Sequence, residues 1–209
     1  MEFIESLILL TISLIILLVL TTLLSSKKRI SNQLSKAFGA CIICMVIWTV
    51  SLMLQIIFQN TAVNPVLFEG FASFGACFIP VAFMFLTIIF AKTKITFKKT
   101  YVLLFIIPIL STVLMFTNSL HNLFYKVYST NLNETVYGPY MPIHSVYSYV
   151  LLGIGLLYLF RFSFKNSGFF SKQSILIFLG ALFSVLINMI GAFNIVNMSI
   201  YITPISFTV

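Results

Sequence analysis

Residues 66–91, VLFEGFASFGACFIPVAFMFLTIIFA, decide the fold, because Glu69 is the single charged residue in a long apolar run. A helix needs about 20 predominantly apolar residues to cross a hydrocarbon core of roughly 30 Å, so this run is predicted to span a membrane. None of the apolar runs alternates polar and apolar residues at period two, as transmembrane strands would. Five further stretches are predicted to be spans of the same kind: 4–25, 37–58, 101–117, 143–160 and 174–193.

A seventh apolar run starts near Ile200 and reaches Val209. At about 1.5 Å per residue it covers only half a membrane. We expect it to be the start of a seventh helix, cut short within a longer protein; the alternative is a short hydrophobic tail packed against the bundle. The predicted fold class is therefore all-α, a polytopic transmembrane helical bundle with six full spans plus the start of a seventh. Residues 1–209 would form one membrane domain, with any cytoplasmic output domain outside the chain.

The composition excludes most soluble functions. Of the 209 residues, 60% are hydrophobic and 8% are charged, against about 25% charged residues in soluble domains. The mean hydropathy is +1.12. A soluble enzyme or a nucleic-acid-binding domain cannot keep so little charge on its surface.

The charges follow the positive-inside rule, which assigns loops rich in Lys and Arg to the cytoplasm. All but one of the 12 basic residues fall in the loops after spans one, three and five: Lys27, Lys28, Arg29, Lys36, Lys92, Lys94, Lys98, Lys99, Arg161, Lys165 and Lys172. The opposite side carries Lys126 and all four acids: Glu2, Glu5, Glu69 and Glu134. The N-terminus is thus predicted outside the cell, and the net charge of +8 indicates topology, not nucleic-acid binding.

Polar residues within the spans gather in the predicted outer half, and no charged residue sits at the centre of a span. That absence argues against a proton relay or an ion-coupled transporter, which need ionisable groups at the midplane. Two interpretations stay open: hydrogen bonds between helices, or a shallow pocket open to the outside. The long loop 118–142 is either a polar lid over that pocket or an aromatic segment at the membrane interface.

The candidate ligand-binding residues are polar and lie in the outer half or its loops: Glu69, Asn118, His121, Tyr137, His144, Tyr147 and Asn188. The candidate hinges are the prolines in or near spans: Pro80, Pro108 and Pro204. No catalytic motif, metal-ligand spacing or cofactor-binding motif appears, so we predict no enzyme activity, metal or cofactor for this chain.

Several short motifs follow one another in an order that is recognisable when they are taken together. They are Gly75 and Pro80 within 68–85; Pro108 followed by Thr117-Asn118-Ser119-Leu120-His121; Tyr137-Gly138-Pro139 followed by His144, Ser145, Tyr147, Ser148 and Tyr149; and Thr203-Pro204-Ile205. This pattern resembles the N-terminal seven-helix membrane sensor region of bacterial histidine kinases, related forms of which are attached to diguanylate cyclases. The family commonly has an acid shortly before the last Thr-Pro, where this chain has Ser199-Ile200-Tyr201.

The resemblance implies a signal-sensing input module in a bacterial plasma membrane. Its partners would be the lipid bilayer, a small ligand or membrane stimulus, and a cytoplasmic kinase or cyclase domain in cis, with a homodimer as a possible assembly. The seventh helix would carry the signal inward. The alternatives are a component of a small-solute transporter or channel, and a membrane anchor that senses nothing.

Overall fold

The computed structural model describes residues 3–26, 31–59, 65–92, 95–129, 134–193, 195–196 and 201–208. The helices are α1 (Phe3–Ser26), α2 (Asn32–Ile57), α3 (Pro65–Lys92), α4 (Ile106–Phe116), α5 (Asn118–His121), α6 (Met141–Lys165), α7 (Phe169–Ala192) and α8 (Ile202–Thr208). A 3₁₀ segment, Lys99–Phe105, leads into α4. Strands β1 (Tyr125–Val127) and β2 (Val136–Tyr137) pair as an antiparallel hairpin.

The predicted all-α class and its six long apolar helices are confirmed. Six helical stretches are long and apolar enough to cross a membrane: α1, α2, α3, α4 with its 3₁₀ lead, α6 and α7. The short helix α8, of seven residues, falls within the run in which the sequence predicts either the start of a seventh span or a packed hydrophobic tail. Several residues on which the topology prediction depends lie outside the described part of the chain, among them Glu2, Lys27, Lys28, Arg29 and Lys94.

The helices turn apolar side chains outward and small polar ones inward, which suits a bundle surrounded by lipid. On α1, Ile8 and Leu18 are more than half exposed, whereas Ser6 and Ser13 are buried. On α2, Thr49 and Gln55 are buried while Ile43 is exposed. In water such exposed apolar surface would drive association, but lipid chains solvate it well.

Helix α3 is the centre of the bundle and packs against α2, α4 and α6. Close approach to α2 depends on Gly75, where an added Cβ would lie 2.4 Å from the Cys44 carbonyl oxygen and 2.7 Å from the Trp48 amide nitrogen. Close approach to α6 is made at Gly155, whose added Cβ would meet the Phe83 ring at 2.8 Å. Gly153, also in α6, faces open space.

The hairpin lies beside the junction where α2 ends and α3 begins, and we call this the hairpin end of the bundle. At the opposite end, Gln33 of α2 pairs with the backbone of Ile95: its Nε2 donates to the carbonyl at 3.0 Å, and its Oε1 accepts from the amide at 3.0 Å. Ser31 caps α2 by accepting a hydrogen bond from the Leu34 amide. These contacts tie the segment before α4 to the start of α2.

Candidate ligand-binding cavity

A cavity of about 180 Å³ lies inside the bundle near its hairpin end. Its walls come from α2, α3, α4, α6, α7 and α8, and from the hairpin. Four of the seven predicted site residues line it: Glu69, Tyr137, His144 and Asn188. The other three, Asn118, His121 and Tyr147, lie elsewhere. Pro80 of α3 also contributes to the wall.

Glu69, in the second turn of α3, connects the cavity to the hairpin. The Tyr128 hydroxyl donates to its Oε2 at 3.0 Å, and the Tyr125 hydroxyl lies 3.4 Å from its Oε1. Gln55 of α2, only 1% exposed, donates from Nε2 to the Tyr128 oxygen at 2.5 Å. Glutamine, tyrosine and glutamate thus form a chain of hydrogen bonds from α2 through the hairpin to α3.

The hairpin tyrosines stay protonated across the physiological range. Burial, and then the neighbouring Glu69 carboxylate, raise the pKa of Tyr125 and of Tyr128 well above the ordinary value for tyrosine. The same two causes raise the pKa of Tyr137. The hydroxyls of Tyr125 and Tyr128 therefore keep the protons that they donate to Glu69.

His144, in the first turn of α6, joins three helices at the cavity wall. Its Nδ1 lies 2.9 Å from the Ser111 hydroxyl of α4, and its Nε2 lies 3.8 Å from the Cys77 sulfur of α3. Ser111 is fully buried and also contacts the Tyr140 hydroxyl at 3.0 Å. The ring of His144 packs 5.7 Å from that of Phe124 in the hairpin connection. A substitution of His144 would therefore alter contacts with α3, α4 and the hairpin at the same time.

Asn188 of α7 fixes a second polar wall. Its Oδ1 accepts a hydrogen bond from the Tyr149 hydroxyl of α6 at 2.8 Å. Both residues line the cavity, as do Thr203 and Phe207 of α8. The short helix α8 therefore borders the cavity together with α6 and α7.

Asn118 and His121 build the hairpin without lining the cavity. The Asn118 side chain donates from Nδ2 to the Tyr125 carbonyl at 2.9 Å, and its Oδ1 accepts from the amides of Phe124 and Tyr125 at 3.0 and 3.1 Å. His121 accepts from the Leu123 amide at Nδ1, and its Nε2 lies 3.0 Å from the Thr117 hydroxyl. These two side chains close the turn from α4 to β1, so they position Phe124 and Tyr125.

Tyr147 acts on the backbone of the fourth span. Its hydroxyl donates to the Leu104 carbonyl oxygen. In a regular α-helix that carbonyl would accept from the amide of residue 108, but Pro108 has no N–H. Tyr147 therefore supplies from α6 the hydrogen bond that the proline cannot make, where the 3₁₀ segment gives way to α4.

The three candidate hinge prolines differ in their positions. Pro108 and Pro204 both lie in the first turn of their helices, and at Pro108 the Leu104 carbonyl that lacks an amide donor accepts from Tyr147 instead. Pro80 lies in the interior of α3, the central helix, and so deprives the Ala76 carbonyl of its usual donor. Among the three, Pro80 is the proline that interrupts a continuous helix.

We expect Tyr147→Phe to lower the free energy of unfolding by about 1 kcal/mol, because the Leu104 carbonyl loses its donor from α6. The loss should shrink in a Pro108→Ala background, where the new amide can serve that carbonyl. Chemical unfolding of the four proteins in detergent forms a double-mutant cycle. Equal losses in both backgrounds would show that Tyr147 and Pro108 are not coupled.

Sequence reasoning missed the aromatic residues of the cavity. These residues are far apart in the sequence, but all of them line the same cavity: Trp48, Phe124, Tyr125, Tyr149 and Phe207. The chain has 23 Phe and 9 Tyr, so aromatic residues alone do not identify a pocket. The available signal was the pair Tyr125 and Tyr128 in the loop after the fourth span, together with the acid Glu69 near the end of the third. To connect them, one must know that this loop folds back onto α3.

The arrangement is suited to binding. It combines one carboxylate, one imidazole, several hydroxyls and an aromatic wall in a space bordered by six helices and the hairpin. Over the part of the chain that the structure describes, no group of three or more His, Cys, Asp and Glu side chains is placed to hold a metal ion.

The six long apolar helices define a multi-pass membrane protein of the helical-bundle class. The family model for the N-terminal 7TM region of histidine kinase matches residues 8–209. The chain belongs to that family, which confirms the resemblance seen in the sequence motifs. No curated protein and no solved structure matches the chain.

Proposed function

We propose that the chain is the sensing module of a membrane histidine kinase, in which occupancy of the cavity changes the position of α8. The single observation that carries this proposal is that Thr203 and Phe207 of α8 line the same cavity as Glu69 and His144. In the family pattern this helix leads toward the cytoplasmic kinase. A ligand in the cavity would therefore touch the element that transmits the signal.

Transmission requires α8 to have two arrangements that a ligand distinguishes. In its present position the Thr208 hydroxyl lies 2.7 Å from that of Ser13 in α1, and Ser184 of α7 donates to the Ser206 carbonyl at 2.5 Å. Ile205 also packs against the apolar core formed with α1 and α2. Hydrogen bonds between membrane helices contribute about 0.6–2 kcal/mol each. A ligand that contacts Thr203 and Phe207 more favourably in one arrangement of α8 than in the other would shift the balance between the two.

The charge pattern supports an outward-facing cavity. Lys98, Lys99 and Lys165 lie at the end of the bundle opposite the hairpin, and by the positive-inside rule that end is cytoplasmic. The hairpin end would then face the outside, with the cavity open to a stimulus from there. In this topology the N-terminus is outside and α8 runs inward.

Asn188→Ala tests the sensor role in the full-length protein. We expect kinase autophosphorylation in native membranes to change by about threefold or more, because Tyr149 loses its acceptor and the wall shared with α8 relaxes. His144→Ala should also shift it. The matched control is Leu186→Ala, on the same helix but half exposed toward lipid.

The comparison is made at equal membrane abundance. Unchanged autophosphorylation in both cavity variants would contradict the sensor role and favour a membrane anchor. A change of the same size in Leu186→Ala would show that any perturbation of α7 suffices, which would also remove the support for a specific cavity.

A further inference from the structure

In the part of the chain that the structure describes, the cavity is lined by one acidic side chain, Glu69. Among the described residues that line the cavity, no other side chain is charged. Within the described residues no lysine or arginine forms an ion pair with it; its partners there are the two tyrosine hydroxyls. Lys126, the one basic residue of the hairpin, is exposed and does not line the cavity. A carboxylate held partly out of water favours a cation as its neighbour.

The remaining walls carry the side chains that stabilise an organic cation. The lining rings are Trp48, Phe124, Tyr125, Tyr137, Tyr149 and Phe207. Aromatic faces carry partial negative charge and attract ammonium groups within about 6 Å, most strongly where water is excluded. The rings of Tyr125 and Tyr137 stand 5.7 Å apart, and those of Trp48 and Phe207 stand 6.1 Å apart. The cavity thus has aromatic surfaces on the hairpin side and on the α8 side.

The volume limits the size of the ligand. A cavity of about 150 Å³ accommodates benzene, and pockets for drug-sized ligands begin at about 300 Å³. At about 180 Å³ this cavity suits a compact molecule of roughly six to ten non-hydrogen atoms. Apolar side chains such as Leu52 and Met115 complete the lining, so part of the ligand must be apolar.

We propose that the cavity binds a small organic cation, a primary or quaternary alkylammonium. Glu69 supplies the counter-charge, and the aromatic rings surround the cationic group. The inference deepens the proposed function and rests on it only for the claim that binding produces a signal. The binding itself depends on the cavity alone.

The chain supplies its own reporter, since Trp48 is its single tryptophan and lines the cavity. The probes are choline and 3,3-dimethylbutan-1-ol, which has nearly the same shape without the charge. With the chain in lipid nanodiscs, we expect choline to change Trp48 fluorescence in a saturable manner and to raise the melting temperature. The neutral alcohol should bind about tenfold or more weakly, because it gains neither the carboxylate nor the cation–π attraction.

Two variants test whether Glu69 is the acid that binds choline. Glu69→Gln should weaken choline binding by about tenfold or more and leave the alcohol unaffected. Glu134→Gln, which removes the exposed acid of the hairpin, is the matched control and should bind choline as the native chain does. If Glu69→Gln does not fold, Tyr149→Leu keeps the acid, removes one ring and should weaken choline binding several-fold.

Three results would overturn the inference: equal binding of choline and the alcohol, no binding of choline, or the same fluorescence change with sodium or potassium chloride alone. Because these measurements report binding in the isolated chain, their failure leaves the sensor role to be judged by the Asn188 experiment. A failure of that experiment, in turn, leaves a measured choline affinity intact.

Discussion

Gly75→Ala is expected to lower the free energy of unfolding by about 1–3 kcal/mol, the usual range for overpacking a tight contact. The added Cβ would stand 2.4 Å from the Cys44 carbonyl oxygen and 2.7 Å from the Trp48 amide nitrogen. Both atoms belong to the backbone of α2, so no side chain can rotate away and the helices themselves must separate. Because Trp48 also lines the cavity, the same separation should disturb its fluorescence.

Thermal unfolding in detergent, followed by circular dichroism, measures the effect. Gly153→Ala is the matched control, since nothing lies within 4 Å of its added Cβ. Alanine is favoured over glycine inside a helix by about 1 kcal/mol, so this control should be neutral or slightly more stable. If the two variants unfold alike, Gly75 is not a close-packing position and the α2–α3 contact is looser than the structure indicates.

Asn118→Ala should release the hairpin. The asparagine makes three hydrogen bonds to the backbone of Phe124 and Tyr125, and its loss leaves two amides and a carbonyl without those partners. An unsatisfied buried group costs about 1–3 kcal/mol, so we expect the local stability of residues 122–129 to fall by about 2–4 kcal/mol. Tyr125 would then no longer be held against Glu69.

Hydrogen–deuterium exchange measures this locally, with faster exchange expected at Phe124 and Tyr125 and unchanged exchange in α3. Asn166→Ala is the control, because Asn166 is exposed at the opposite end of the bundle and its side chain makes one hydrogen bond, to the Phe162 carbonyl. Native-like exchange in Asn118→Ala would mean that the hairpin is held by its packing against α3.

The candidate site was predictable in part, and its polar residues show why. Glu69, His144 and Asn188 stand out because a polar group in an apolar run must find a partner, and all three line the cavity. Asn118 and His121 stand out for the same reason, yet their side chains form hydrogen bonds with backbone groups of the turn and do not line the cavity. Tyr147 completes a hydrogen bond that Pro108 leaves open. A polar side chain within a span indicates that it has a hydrogen-bond partner. It does not show whether that partner is a bound ligand or a backbone carbonyl of the protein.

The amino-acid sequence by itself determined the class of protein, the six long helices and the family. Each of these depends on local composition, since a lipid environment demands long apolar helices whatever their neighbours are. Only the tertiary structure decided which polar residues share the cavity, that the hairpin tyrosines reach Glu69, and that α8 lies in its wall. These facts depend on contacts between distant residues, such as Tyr128 with Glu69, and on backbone approach at Gly75. Hydropathy is the same for every way of packing the helices, so packing geometry alone selects among them.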